Sequence, residues 1–466
     1  MVVKGKEGSE EKQSVSPYHL VNIRLFILFR VLFNARFYYP VFTILFLDYG
    51  LTLEQFAVLN TVWAFTIVLS EVPSGALADL LGRRFLLVVT AWLMIFEMAV
   101  IAFVPAANPD LVFWAFLINR VLSGLAEAMA SGADEALAYD TLVVHGLAGQ
   151  WPRVLEVQMR AQNFGYIIAM TLGAVVYDPS VVNRVLQWCS VNVSVSQQMS
   201  MRYPLYLTLI LAVFALFVTL RMRDPSPPAG HRARDPQKAT IWQLLRLVLR
   251  TGAWIIRTPM AFTIIFFAMT IDHTLRMGVT LTSKYYRLIG LPEASFGLLG
   301  SLVAVVGLFV PRLARIMVER LSFGLNVFLL GAGSVIALLF LSLFVPYWGI
   351  LPVIAIFVGL MLTSYFTSHY LNELTDSQQR ATVLSFKGLA LNVAYGIIGL
   401  AFAALMQHYR VVQTGLHPSQ AVDFIEDQAF VATVGCFPWY LAGALILTSL
   451  CCLPRVWRRR STGRKQ

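Results

Sequence analysis

Three charged side chains recur at seven-residue intervals within one apolar stretch of this 466-residue chain: Arg120, Glu127 and Asp134. Because seven residues make almost two helical turns, the three would lie along one stripe of a helix, with Gly124 and Ser131 between them. An ionisable group in apolar surroundings is usually retained for pairing or for function. Glu127 is the most central of the three, which makes it a candidate proton carrier. The alternative is an ion pair between Glu127 and Arg120 that ties helices together.

A second charged cluster is Asp272 with Arg276, one helical turn apart and followed by Thr280. An acid and a base at this spacing can simply neutralise each other. In the functional interpretation, Arg276 meets an anionic or polar group of a ligand, and Asp272 carries protons or acts in gating. His273 is expected to be a hydrogen-bonded packing residue rather than a proton shuttle.

Arg36 lies in a further apolar stretch, next to Tyr38, Tyr39 and Pro40. Pro40 should kink the helix and free backbone carbonyls on one side of it. Arg36, with Tyr39 beside it, is a candidate for binding an anionic ligand. The alternative pairs Arg36 with a carboxylate such as Glu127.

The composition identifies the medium around these charges. Hydrophobic residues make up 58% of the chain, charged residues 13%, and the mean hydropathy is +0.69, whereas soluble proteins are about a quarter charged. A helix that crosses a bilayer needs about 20 mostly apolar residues. We therefore predict an all-α polytopic membrane protein with twelve spans. They lie near 22–47, 53–80, 84–105, 110–140, 155–177, 203–221, 259–288, 293–317, 322–345, 347–371, 382–408 and 430–453.

Lysine and arginine collect in alternate connections between these spans and in both tails, and the net charge is +11. This pattern is typical of cytoplasmic loops. It explains the positive net charge, so no nucleic-acid partner is expected. Both termini are thus predicted to be cytoplasmic, in a plasma (inner) membrane. The predicted units are a cytoplasmic tail (1–20), a six-helix bundle (21–221), a linker with an amphipathic helix (222–258), a second bundle (259–453) and a basic tail (454–466).

The connection between spans two and three reads Gly75-Ala-Leu-Ala-Asp79-Leu-Leu-Gly82-Arg83-Arg84. Gly75 would allow close helix contact, and Gly82 would permit a tight turn. Asp79 would meet basic groups at a helix end, and Arg83 can pair with a carboxylate on another helix. The segment resembles the signature loop of the major facilitator superfamily.

Three other segments, 71–75, 131–140 and 380–385, look like a little-characterised prokaryotic group within that superfamily. The resemblance implies two pseudo-symmetric six-helix bundles that give alternating access to a central site. The second-half loop from Pro311 to Phe323 lacks the aspartate and the paired glycines. Span five lacks the Gly-Pro pair of drug-exporting members, which weakens assignment to a multidrug proton antiporter.

Three acidic residues are expected toward the cytoplasmic end of span four, and we interpret them as a gate latch. They are Asp134, Glu135 and Asp140, which could pair with Arg83, Arg84, Arg153 or Arg380 when the cytoplasmic side is closed.

The predicted function is secondary active transport of a small organic solute, anionic or zwitterionic, coupled to protons through Glu127 or Asp272. The proposed substrate-binding residues are Arg36, Tyr39, Arg120, Glu127, Asp272 and Arg276. No cofactor is expected, and no metal, because the histidines are scattered without metal-ligand spacing. No glycine-lysine phosphate-binding loop occurs, so transport is not expected to be driven by ATP. The expected partners are the solute, protons and the bilayer, and the protein is predicted to be a monomer.

A uniporter and a multidrug-type effluxer remain alternatives. A channel would not need the Asp79–Arg83 loop, and a membrane-embedded enzyme would need a polar catalytic cluster.

Overall fold

The computed structural model describes residues 16–225, 246, 250, 252–375 and 377–462. Within these ranges it describes no side chains at 72, 76, 79, 80, 377–382, 384, 385 and 453–462. Most of the predicted amphipathic helix and both chain ends lie outside the described residues. Every regular element in the described ranges is helical.

The helices are named in chain order. They are α1 (Val21–Asn34), α2 (Phe42–Asp48), α3 (Leu53–Leu81), α4 (Arg83–Phe103), α5 (Pro109–Ala130), α6 (Ala133–Val144), α7 (Trp151–Tyr177), α8 (Pro179–Trp188), α9 (Gln197–Ser200), α10 (Tyr203–Arg221), α11 (Pro259–Thr280), α12 (Thr282–Leu288), α13 (Phe296–Gly307), α14 (Val310–Arg320), α15 (Phe323–Leu341), α16 (Ile350–Leu374), α17 (Ser377–Leu416), α18 (Val422–Gly435) and α19 (Phe437–Thr462).

Eleven helical segments of the described chain are long and apolar enough to cross a membrane. The helical segments 148–177 and 179–188 form a possible twelfth span. Together they are long and apolar enough to cross a membrane, but the chain bends by 82° between them, at Asp178. The predicted polytopic all-α fold is confirmed.

Several spans differ from their predicted form. Span four is not one helix, because Ser131 ends α5 and Gly132, at φ +77°, adopts a left-handed conformation before α6 begins. Spans eleven and twelve extend beyond the predicted apolar limits, to Leu416 and back to Val422. Their extensions carry charged side chains that pair with one another, so hydropathy alone ended these spans too early.

Span one is broken over residues 35–38, wider than the kink predicted at Pro40. The backbone there leaves the helix and passes directly over Gly173 of α7, where an added Cβ would lie 1.8 Å from the carbonyl oxygen of Phe37. The amide of Phe37 donates to Thr208 Oγ1 of α10 at 3.1 Å. Neighbouring helices thus support the opened backbone, as lipid cannot.

The described chain forms two halves, the N half (16–225) and the C half (252–462). Within the N half, α4 packs on α5 and α10, and within the C half α11 packs on α16, α17 and α19. The halves meet along α3 against α17 and along α7 against α13.

The molecule has two opposite faces, named here the terminal face and the far face. The terminal face holds the start of α1, the turn at Gly82 and the end of α10, joined by hydrogen bonds such as Asn22 Nδ2 to the Arg223 carbonyl at 2.7 Å. The far face holds the turns after Asp48 and Phe103, where Arg202 Nη1 donates to the Ala102 carbonyl at 2.7 Å.

We predict that Gly173→Ala destabilises the fold, because the new methyl group would overlap the Phe37 carbonyl. Overpacking of this kind costs about 1–3 kcal/mol. The measurement is thermal unfolding of the purified protein in detergent. Gly333→Ala is the matched control, since an added Cβ at this α15 position meets nothing within 4 Å. Equal melting temperatures for the two variants would contradict the close approach.

Candidate functional site

A chamber of about 200 Å³ lies between the two halves. The N half contributes Tyr39, Phe42 and Tyr166, and the C half contributes Thr280, Ser283, Tyr286 and other residues. Six of the fourteen residues that line it are aromatic, and several others carry hydroxyl groups. Such a surface can hold a flat or partly apolar solute and orient it by hydrogen bonds.

Glu127, on the N-half wall of the space between the halves, is exposed although it belongs to the middle of a span. It interacts electrostatically with Arg36 and Glu97, and Tyr39, which is 44% exposed, also lies within reach of it. Among the described side chains, none forms an ion pair with Glu127. Glu127 is thus an exposed carboxylate close to Tyr39, which lines the chamber.

Arg36 does not pair with Glu127, the partner suggested from the sequence. Its guanidinium pairs instead with Glu97 of α4, and both side chains are buried, at 4% and 0% exposure. Arg36 Nε also donates to the Phe33 carbonyl at 3.1 Å. Arg36 is therefore occupied, so a role in binding a solute would require this pair to open.

Arg120 does not pair with Glu127 either, because residues seven apart on one helix are separated by about 10 Å along its axis. Both its Nε and Nη2 donate to Asn119 Oδ1, at 2.9 and 2.7 Å. The guanidinium lies over the rings of Phe42 and Phe46, at 5.3 and 5.4 Å from their centroids. Cation–π contact thus contributes to holding a buried charge next to the chamber.

The C-half wall carries the predicted pair of α11. Arg276 Nη2 lies 2.6 Å from Asp272 Oδ2, so the neutralising contact considered from the sequence is present. Arg276 Nη1 also donates to Asn392 Oδ1 at 3.0 Å, and its guanidinium lies 5.4 Å from the Tyr395 ring centroid. The Tyr395 hydroxyl reaches Thr280 at 2.9 Å, which connects this cluster to the chamber.

Lys387 of α17 belongs to the same cluster and was not predicted. Its Nζ donates to Ser368 Oγ at 3.0 Å, and it interacts electrostatically with Asp272. A lysine within an apolar helix was the available signal in the sequence.

His273 serves packing, as the sequence suggested. Its Nε2 lies 2.7 Å from the Tyr440 hydroxyl, and its Nδ1 bonds the Met269 carbonyl.

The predicted gate residues make contacts within the N half in this conformation. Arg83 pairs with Asp140 and donates to the Ala136 carbonyl at 2.7 Å. Asp134 and Glu135 lie 3.1 and 3.7 Å from Arg30, a partner absent from the predicted set. The side chains of Asp79 and Arg380 lie outside those that the structure describes.

The two glycines of the signature loop behave differently. Gly82 has φ +92° and forms the predicted tight turn between α3 and α4. Gly75 does not make the predicted close helix contact, since an added Cβ would meet nothing within 4 Å among the described atoms. The close approach lies instead at Gly124, where a Cβ would be 2.8 Å from Thr66 of α3.

At the far face, two arginines of the C half each bridge both halves. Arg287 donates to the two carboxylate oxygens of Asp48 in the N half, at 2.8 and 2.9 Å, and to Glu293 of its own half. Arg410 donates to Glu54 of the N half at 2.6 Å and to Glu426 of its own half at 3.0 Å.

Both bridges lie where the sequence placed few basic residues. Neither arginine was among the predicted site residues, because a pair between segments distant in the sequence leaves no local signal. The Asp48 carboxylate also accepts hydrogen bonds from Tyr177 and Gln197, which hold it in place. Within the described chain, ion pairs between the halves occur only at this face.

Comparison with known proteins agrees with this architecture. The chain is 22% identical over 370 residues to the quinolone resistance protein NorA of Staphylococcus aureus strain MRSA252, covering 77% of this chain and 84% of that protein. Identity to the strain COL protein is 20% with the same coverage.

Solved structures show the same fold at low identity. A bacterial homolog of the human lysosomal transporter Spinster, inward-facing and unoccupied, matches with TM-score 0.69 and 13% identity, covering 95% of this chain and 99% of that one. The nucleoside transporter NupG matches with TM-score 0.64 and 14% identity, over 92% and 98%. A D-xylose–proton symporter matches with TM-score 0.59 and 15% identity, over 92% and 97%.

The family described as the Major Facilitator Superfamily matches residues 25–400, most of the chain and both halves. Together with the helical architecture, this match shows that the chain belongs to the major facilitator superfamily of membrane transporters.

Proposed function

We propose that this transporter moves a small organic solute with an anionic group, alone or as part of a zwitterion, by alternating access coupled to protons. The observation that carries the proposal is Glu127, an exposed carboxylate at mid-depth without an ion-pair partner among the described residues. Across the cavity, the C-half wall carries Arg276, Lys387 and Asp272.

The C-half wall supports the anionic substrate. Two cations, Arg276 and Lys387, surround the single carboxylate of Asp272, which leaves one positive charge in excess. An anionic group of the solute would balance this charge in a region of low dielectric constant, where Coulomb attraction is strong. The aromatic chamber next to Thr280 would hold the apolar part of the same solute.

The N-half wall supports Glu127 as the proton carrier in preference to Asp272. Asp272 already has a partner for its charge, because Arg276 lies 2.6 Å from its carboxylate. Glu127 lacks such a partner, so its charge depends on the cavity around it and on what occupies the cavity. Protonation of Glu127 would therefore respond to opening and closing of the two faces.

The far-face bridges support an alternating-access cycle. In this conformation ion pairs join the two halves at the far face, and within the described chain none joins them at the terminal face. By the distribution of lysine and arginine, the terminal face would be cytoplasmic, which makes this an inward-facing state in the plasma membrane. Opening the far face would leave Arg287 and Arg410 paired with Glu293 and Glu426.

The second candidate is multidrug efflux, because the relatives named above are quinolone resistance proteins. The aromatic chamber is compatible with flat drug-like solutes. Span five lacks the Gly-Pro pair of drug-exporting members, and the excess cation does not suit cationic drugs. A uniporter would use the same cavity with Glu127 uninvolved in coupling.

We expect anionic and zwitterionic compounds to stabilise the purified protein against thermal unfolding, and cations to have no such effect. A library of metabolites and drugs sorted by charge would be compared by melting temperature. Lys387→Gln should reduce the stabilisation, while Arg312→Gln, at an exposed position of α14, should leave it unchanged. Stabilisation by cations and neutral compounds alone would contradict the anionic assignment.

With a stabilising solute in hand, we expect Glu127→Gln to abolish proton-driven accumulation in proteoliposomes and to leave counterflow of the solute intact. Counterflow requires only the movement of the loaded carrier, whereas accumulation requires a titrating group. Glu156→Gln is the matched control, because Glu156 lies at the surface in a pair with Arg160. Intact accumulation by Glu127→Gln would remove this carboxylate from the coupling step.

We expect the double variant Asp48→Asn/Glu54→Gln to shift the protein toward opening of the far face. Each bridge is partly exposed and contributes on the order of 1 kcal/mol, so the two together should shift the populations by about tenfold or more. Both arginines keep a C-half carboxylate, so the variant should fold.

The measurement is the distance distribution between spin labels at Ala107→Cys and Leu343→Cys on the far face, with the four native cysteines replaced. A longer-distance population should appear in the double variant. Glu319→Gln, which removes a surface carboxylate from α14, is the control. An unchanged distribution in the double variant would show that the bridges do not hold the far face closed.

A further inference from the structure

A basic pocket lies on the terminal face of the N half, apart from the central cavity. It has a volume of about 650 Å³ and is formed by the start of α1, the start of α4 and the end of α10. The residues that line it are Val21, Asn22, Arg84, Leu220, Arg221, Met222 and Arg223.

Arg84 shows that the pocket suits an acceptor of hydrogen bonds. Its Nη2 donates to the Leu220 carbonyl at 3.0 Å. Its Nε is buried and, within the described chain, has no hydrogen-bond partner. A buried donor left without an acceptor is costly, and a bound anion would remove that cost.

The charge balance of the pocket is positive. Three arginine residues line it, and the carboxylate of Asp224 beside it already accepts from the Arg84 amide at 3.0 Å. Arg223 is fixed by its backbone, since its amide donates to Asn22 Oδ1 at 3.1 Å. Its side chain remains exposed and available to a ligand.

The position of the pocket selects among anions. Three membrane-spanning helices begin or end around it, so it lies at the boundary between the apolar core and water. Val21 and Leu220 are 56% and 46% exposed, and Phe217, one turn further along α10, is 58% exposed. An apolar surface therefore leads from the arginines along the membrane-facing side of α10. Free phosphate would contact only the arginines, whereas a phospholipid would contact both the arginines and the apolar surface of α10.

We propose that this pocket binds the headgroup phosphate of an anionic phospholipid, with the acyl chains along Leu220 and Phe217. The bound lipid would join α1, α4 and α10 at the terminal face and would complete the hydrogen bonding of Arg84.

The test is the affinity of the full-length protein for phosphatidylglycerol, measured by native mass spectrometry and by thermal stabilisation in neutral detergent. Phosphatidylcholine and inorganic phosphate are titrated in parallel. A basic residue near a lipid surface contributes about fivefold in affinity, so Arg221→Gln/Arg223→Gln should weaken phosphatidylglycerol binding by about 25-fold. The hydrogen bonds between the Asn22 side chain and the backbone of residue 223 remain, so the variant should fold.

Arg312→Gln/Arg320→Gln removes the same charge from exposed positions of α14 and is the matched control. Wild-type affinity in this control, together with weak binding of phosphatidylcholine, would support the site. Equal losses in both double variants would show that only net charge matters and would overturn it. Equal stabilisation by inorganic phosphate would overturn the lipid assignment in favour of a free-anion site.

Discussion

A charge placed among apolar side chains and lipid must be paired, stacked on a ring or opened to water, because the desolvation of an isolated ion is prohibitive. This constraint separates the intramembrane charges of the chain into groups. Arg36 and Glu97 neutralise each other in the core, and Arg120 lies over two phenylalanine rings. Among the described side chains Glu127 has neither arrangement, and it is exposed instead.

The same constraint connects the broken first span to the site. Residues 35–38 leave the helix, so their backbone groups need partners that lipid cannot provide. Gly173 allows α7 to approach this backbone closely, and Thr208 accepts the Phe37 amide. The break places Arg36 toward Glu97 and Tyr39 toward the chamber. Packing of three helices therefore decides which side chains of span one face the solute pathway.

The far-face bridges illustrate how two halves can separate without leaving a charge unpaired. Each arginine has one carboxylate from either half, so separation removes a single partner and leaves the other in place. The energetic difference between the joined and separated states is then modest, as rocking of two rigid halves requires. At the terminal face, Arg83 and Arg30 pair with carboxylates of their own half, so these pairs do not depend on contact between the halves.

The sequence by itself determined the twelve apolar segments, the signature loop with its turn at Gly82, the interruption of span one near Pro40 and the i, i+4 pair of α11. These features follow from composition and from contacts between near neighbours in the chain. Only the tertiary structure decided that Glu97 neutralises Arg36, that Lys387 joins Asp272, and that Arg287 and Arg410 bridge the halves. Each of these pairs joins residues that are distant in the sequence, and many carboxylates could satisfy a given arginine. The choice among them depends on how the helices pack, which periodicity and hydropathy do not encode.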